Sequence, residues 1–434
     1  MTQMARTPFV AALAEAPLPA SATAWLDQAR RQNRDAFVDA GLPDTRVEAW
    51  KYTALRALAQ RRYASGDALA LERPVEASLL ALPGSDGPAL VFVNGVFRAD
   101  LSAFDALPDG VDLRPLSRAL AEVPESLRFA LSRHYRGPGD AFARVNAAFA
   151  SDGVVLRIGA GIQVPVPVRL VFVGAGAQED LAWHVRNLVD LGVGSELTLI
   201  EQHLSTGGQA HLGTGVADFA LQSGAKLHHV VLQQADTGSS LVRRSHYRLD
   251  ARAQVQLHAL ELGGALARHD LRAELVGDGA AFRTDGAFLP NGRQHMDTQL
   301  AIHHRARDTL SSSTWRGVAG GRGRGVFRGA IVVEAGADGS DATLSNKNLL
   351  LSSQAEIDTK PELEIYADEV KAAHGATVGQ LDERALFYLR SRGIPGDQAR
   401  SLLTAAFARV PFESLPDETL RTYVEQLLLA RLPG

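Results

Sequence analysis

A chain of 434 residues, 46% hydrophobic and 22% charged, has room for two to four structural units with a large core, and this composition excludes a disordered protein. Its formal net charge of -4 argues against a dedicated nucleic-acid binder, which would carry a basic excess. With no cysteine, a disulfide framework, a thiol nucleophile, a Cys-ligated zinc and a CxxC redox pair are all excluded.

The stretch Met1–Pro17 lacks the charged, apolar and cleavage regions of a signal peptide. Apolar runs such as Leu170–Val173 are far too short to cross a membrane, so the cytoplasm is the expected compartment. Ser21 stands where it can cap a helix carrying Trp25, Leu26, Ala29, Ala36 and Phe37, which Gly41 and Pro43 would stop. Thr45 with Glu48 matches a capping box and predicts a second helix through Trp50, Leu55 and Leu58. Leu90–Val93, the turn Asn94-Gly95 and Val96-Phe97 read as a hairpin. Residues 115–150 read as helical again, with Leu116, Leu120, Leu127 and Leu131 on one face. The segment 1–150 is therefore expected to be a helical region with a small β-hairpin.

Helix caps vanish over 151–376. Small or polar residues recur between short β-like runs at Ser195, Ala225, Ala253, Ala280, Asp308 and Ala337, with spacings of 30, 28, 27, 28 and 29. A period in this range marks a repeat architecture. About 28 residues at ~3.3 Å each hold two or three strands with their turns, which is one coil of a parallel β-helix. Parallel coiling should be right-handed. An antiparallel sandwich of even strand spacing is the competing reading, and the repeated phase of the small residues favours the solenoid.

A helical domain is expected over 377–434. Asp382 would cap a helix with Leu386, Phe387 and Leu389, and Asp397 a second with Leu402, Leu403, Ala406 and Phe407. Pro416 and Asp417 would open a third with Leu420, Val424, Leu427 and Leu428. Such a bundle is expected to cover the last coil, whose strand edges are otherwise unpaired. The fold class predicted is mainly β, a right-handed parallel β-helix core between N-terminal and C-terminal helical regions.

None of the five lysines is followed by Ser or Thr, so no phosphate loop exists, and neither HExxH nor GxSxG occurs. No catalytic residue is assigned. The run Gly320–Gly325 fits a tight turn before a strand better than an RGG-like nucleic-acid contact or an anion nest. The pairs His228-His229 and His303-His304 cannot ligate from one face, because adjacent strand residues point to opposite sides. His374 lies in Asp368–Gly375, where the last coil meets the helices. It is the one candidate metal ligand, since neutral imidazole suits iron.

Residues 327–394 carry a recognisable series: Phe327-Arg-Gly329, Thr343-Leu-Ser-Asn-Lys-Asn-Leu-Leu-Leu-Ser352, Lys360-Pro-Glu-Leu-Glu-Ile-Tyr-Ala-Asp-Glu-Val370, His374-Gly-Ala-Thr-Val-Gly379 and Leu386-Phe-Tyr-Leu-Arg-Ser-Arg-Gly393. With Trp50-Lys-Tyr-Thr53, this series resembles the SufB/SufD family of the SUF iron–sulfur cluster assembly system. The last segment and the missing cysteines point to the SufD branch. The resemblance implies a scaffold that is not an enzyme and works in a cytoplasmic complex with SufB and the ATPase SufC, with a homodimer possible in isolation. It implies the C-terminal helices as the SufC docking surface, with Phe387, Tyr388 and Arg390 on the matching segment; the alternative for Phe387 is bundle core. It places His374 at the SufB interface, with a transient iron–sulfur cluster or iron there, and leaves flavin binding open. Where better-studied members have a cysteine two positions earlier, this chain has Ala372, so thiolate ligands would have to come from SufB. A β-helix enzyme acting on polysaccharide is the alternative, but the acidic and basic clusters it needs along one face are missing.

Overall fold

The computed structural model of the protein describes residues 6–85, 87–104 and 107–432, so five residues of the Met1–Pro17 stretch lie outside the described residues. From Asp152–Ile158 to Lys371–Gly379 the chain runs as strands that alternate between two sheets. Every solenoid strand up to Asp341–Leu350 pairs in parallel with the strand two further on, so each coil contributes one strand to each sheet. The first sheet runs from Asp152–Ile158 to Glu356–Ile365, and the second from Val168–Ala175 to Lys371–Gly379. The hairpin Ala89–Val93 and Val96–Phe97 extends the second sheet, its turn made by Asn94 and Gly95 at φ 48° and 81°. Parallel pairing disposes of the antiparallel sandwich.

One turn of each coil explains the period. Gly194, Gly224, Arg252, Gly279, Asp308 and Gly339 all have positive φ, at spacings of 30, 28, 27, 29 and 31. Each donates its N–H to a carbonyl of the following coil, as in Gly194 to Ser223 and Asp308 to Asp338. The residue after each is small and buried: Ser195, Ala225, Ala253, Ala280, Thr309 and Ser340. Two of the expected markers are therefore out of phase. Asp308 occupies the left-handed position itself, and the true counterpart of Ala337 is Ser340, whose hydroxyl lies 2.8 Å from that of Thr309.

Inward-facing rows fill the lumen with stacked apolar and aromatic residues, among them Phe219 on Tyr247 at 4.6 Å and Trp315 near Phe327 at 5.6 Å. Gly286 belongs to such a row; a Cβ there would lie 2.6 Å from the Trp315 ring, so the glycine makes room for it.

Helices Pro8–Glu15, Ala24–Ala40 and Ala141–Phe149 pack through Phe9, Phe37, Phe142 and Val145 on the outer face of the first sheet, against Ala182, Leu212 and Val242. The capping-box helix does not form. Glu48–Trp50 is a single 3-10 turn and Arg56–Ala59 one α turn, and Asp44 rather than Thr45 bonds the Arg46 N–H at 2.9 Å. Tertiary contacts of Trp50 override the local signal: its Nε1 donates to the Gly139 carbonyl at 3.1 Å, and its ring lies beneath the Arg268 guanidinium, 4.0 Å from centroid to Cζ. The helical stretch 115–150 is broken into Leu116–Glu122, Pro124–Leu127, Arg128–Leu131 and Ala141–Phe149, with Pro124 at the first break.

The C-terminal helices Glu383–Ser391, Gly396–Ala408 and Glu418–Arg431 form, with Asp382 and Asp417 capping the first and third, whereas Asp397 does not cap the second but lies in its first turn, after Pro395. Gly396–Ala408 buries Ala399, Thr404 and Ala408, while Leu402 faces solvent. Their position is not the expected one. Ala408, Phe412, Leu415, Leu420, Val424 and Leu428 pack on Ile200, Val230, Leu232, Leu260, Leu262 and Val318, along the flank of the second sheet. The last coil is left uncovered. Among the described residues no helix is long and apolar enough to cross a membrane.

Candidate functional site

The uncovered end is formed by Glu356–Ile365 and Lys371–Gly379, each bonded to a neighbour along one edge only. Ile365, Tyr366 and Val378 are exposed there. His374 pairs with Leu344, which closes a row that runs back through Ser313, Thr284, Leu257, His229 and Leu199. This row faces the solenoid axis. His374 thus sits on the lumen side of the last strand, yet it is exposed because no further coil covers it. Ala372 lies two residues earlier on the same side and packs on the core.

Three residues after that strand the helix Glu383–Ser391 begins. It buries Leu386 and leaves Phe387 73% and Tyr388 57% exposed, with Arg390 also in solvent. Phe387 is therefore not bundle core. The Arg392 guanidinium lies over the Tyr388 ring, 5.2 Å from its centroid. His374 and the Phe387 helix thus occupy consecutive elements at the same end of the chain.

The Trp50–Thr53 segment ties the N-terminal region to the first sheet. The Thr53 hydroxyl donates to Asp297 Oδ2 at 2.5 Å and stands 2.9 Å from His295 Nε2; Asp297 in turn pairs with Arg268. Glu48 pairs with Lys360, which also meets Glu362 at 2.7 Å, so this segment reaches the last strand of the first sheet.

Sequence reasoning missed a charged chain sealed inside the lumen. His203 Nε2 lies 2.5 Å from Glu201 Oε1, and the other carboxylate oxygen is 3.5 Å from His229 Nε2. His229 Nδ1 lies 2.9 Å from the Tyr247 hydroxyl. Across the lumen Arg243 pairs with Glu261, whose carboxylate also lies 3.2 Å from His269 Nδ1, and His269 Nε2 is 3.0 Å from the Ser245 hydroxyl. Burial pushes the Glu261 carboxyl up, but the Arg243 guanidinium and His269 outweigh it and hold it at about 2. Burial likewise opposes ionisation of Glu201, and its bonds to His203 and His229 hold it well below the usual carboxylate range. Burial pushes His203 and His269 down. The signal was present as polar residues at inward positions of strands that otherwise alternate.

A second chain joins the helices to the flank. His228 Nε2 lies 3.2 Å from His258 Nδ1, His258 Nε2 lies 2.9 Å from the Ser414 hydroxyl, and that hydroxyl donates to Asp285 Oδ2 at 3.1 Å. His229 faces inward while His228 faces the flank, as strand alternation requires. The run Gly320–Gly325 forms a turn, with Gly321 at φ 60°, that enters the strand Arg324–Val333.

Among the described residues no group of three or more His, Asp or Glu side chains is placed to hold a metal ion. At its open end the chain presents the exposed imidazole of His374, and the sequence holds no cysteine to supply a thiolate.

Two family models match: the N-terminal region of SufBD proteins over residues 13–170, and the SufBD core domain of SUF-system iron–sulfur cluster assembly over residues 172–407. The chain is 31% identical over 407 residues to the iron–sulfur cluster assembly protein SufD of Escherichia coli, covering 93% of this chain and 92% of that protein. It is 29% identical over 399 residues to an iron–sulfur cluster assembly SufBD family protein of Synechocystis, covering 90% and 87%. A chloroplastic SufBD family protein of Arabidopsis thaliana is 25% identical over 334 residues, covering 75% and 59%.

Proposed function

The chain belongs to the SufB/SufD family of iron–sulfur cluster assembly proteins, and from that membership we propose that it is the SufD-type, non-catalytic scaffold of a cytoplasmic complex with SufB and the ATPase SufC. One observation carries the reading: the uncovered solenoid end bears His374 on its lumen side and runs within three residues into a helix that exposes Phe387, Tyr388 and Arg390. The open end is the face for SufB, and the exposed helix is the face for SufC. The cluster is cargo, built where the two solenoids meet. SufB supplies the sulfur ligands, because this chain has no cysteine, and His374 lends an imidazole. Nucleotide binding by SufC moves the helices and so reshapes the interface near His374.

Co-expression with SufB and SufC followed by size-exclusion chromatography tests the assembly; three chains that elute separately would sink it. His374→Ala should leave the complex intact, because the side chain is exposed, and lower the yield of cluster reconstituted on it. Unchanged yield on an intact complex removes the role given to His374.

A further inference from the structure

The strand that carries His374 has one neighbour in its sheet, Asp341–Leu350, and nothing on its other edge. An edge strand at the end of a stack opens more readily than those within it. Two asparagines lie beneath it, in inward rows that continue into Ala376 and Val378. Asn346 and Asn348 are 0% and 2% exposed, and their NH2 groups and the Asn346 oxygen find partners inside the protein.

Those partners span both sheets. Asn348 Nδ2 donates to the Thr377 carbonyl at 3.0 Å, on the strand of His374, and to Asn346 Oδ1 at 2.6 Å. The Thr359 hydroxyl, on the last strand of the first sheet, donates to the same Asn346 oxygen at 2.7 Å. Asn346 Nδ2 donates to the Trp315 carbonyl at 3.5 Å, one coil back. The amide orientation is fixed by this geometry, since turning Asn346 over would set its NH2 against another NH2 and remove the acceptor for Thr359. Gly317 makes the space: a Cβ there would lie 2.3 Å from Asn348 Oδ1.

We propose that Asn346, Asn348 and Thr359 are positioning residues that cross-brace the open end and hold the His374 strand in register with both sheets. This rests on the reading of His374 given above. The Thr359–Asn346–Asn348–Thr377 chain is a polar link across the lumen at this end, and it passes under a strand only nine residues long. Without the brace the strand is held by a single ladder, and the imidazole loses its fixed place relative to the partner.

The test compares Thr359→Val, which keeps the shape and removes the hydroxyl, with Thr359→Ser, which keeps it. Amide hydrogen exchange is followed in the full chain across 371–379, together with cluster yield in the complex with SufB and SufC. Thr359→Val should speed exchange there about five- to tenfold, the worth of one buried hydrogen bond, leave exchange across 226–233 unchanged, and lower cluster yield. Thr359→Ser should restore both. Asn348→Ala, which cuts the tether to Thr377, should repeat the result if Thr359→Val folds poorly. Wild-type exchange in Thr359→Val, equal loss in Thr359→Ser, or faster exchange with full cluster yield would each overturn the proposal. If His374→Ala alone leaves yield unchanged, the reading of His374 fails, and exchange still decides whether the brace exists.

Discussion

Glu261→Gln should destabilise the protein by about 3–5 kcal/mol. The substitution keeps the size and shape of the side chain and removes only its charge. Glu261 and Arg243 are both buried in the lumen, and no solvent reaches the guanidinium when its carboxylate is lost. His269 loses its carboxylate partner at the same time. Urea denaturation monitored by circular dichroism reads the effect as a lower midpoint at unchanged slope. The double variant Arg243→Met with Glu261→Gln should recover most of the loss, because an apolar replacement leaves no bare charge. A single variant within ~0.5 kcal/mol of wild type would mean that the pair is not the desolvated bridge its geometry indicates.

Stability should fall steeply as pH drops from 7 to 5. Burial pushes His184 and His258 down to about 3, with His228 adding to the shift of His258; burial and the neighbouring His229 and His303 push His228 and His304 down to about 4. The unfolded chain takes up protons on these groups below pH ~6.5 while the folded chain does not. Their contribution is therefore complete above that pH and is lost on the way down to their folded values. At pH 5 each of the four accounts for a loss of roughly 2 kcal/mol. Asp285 works the other way: burial raises its carboxyl to about 6, so acid favours the folded state there by about 1 kcal/mol. His228 also faces Asp417 and His304 faces Asp341, while Asp285 faces Arg283 and Arg316. Together these five groups account for a loss of about 7 kcal/mol, large against the 5–15 kcal/mol typical of a folded domain. Denaturation curves at pH 7, 6 and 5 check it. A flat profile would mean that the buried imidazoles are charged or hydrated in the native state.

The solenoid was legible because its turns repeat: a left-handed residue followed by a small buried one recurs with little change from Gly194-Ser195 to Gly339-Ser340. Phase was lost in the later coils, where Asp308 takes the place of a glycine and a longer turn follows Glu334. The helices at the C-terminus were legible from caps and spacing, but their docking face was not. The signal for it lay in the second sheet, where Val230-Val231-Leu232 is apolar toward both faces and so requires a cover. The capping box of Thr45 and Glu48 was locally sound and lost to the demands of Trp50. The lumen charges were hidden for a different reason. Glu201, Arg243, Glu261 and His269 lie on separate strands, so each reads alone as a breach in its own alternation, and only the coil brings them together. At the site, His374 and Phe387 stood out through the family series, whereas Asn346 and Thr359 gained meaning only once their strands faced each other across the lumen.

The C-terminal helices grip the middle coils from the side, while the last strand joins their first helix through Gln380, Leu381 and Asp382 alone. A tether that short transmits tension with little slack, because three extended residues span only about 10 Å. A pull on the helix Glu383–Ser391 is therefore loaded onto the outermost rung of the ladder, where peeling breaks hydrogen bonds one after another, while the remaining coils are strapped down by the two helices that follow. The molecule is built like a zip with its slider at the open end: force applied there would act on a handful of bonds in sequence and leave the rest of the stack unstrained.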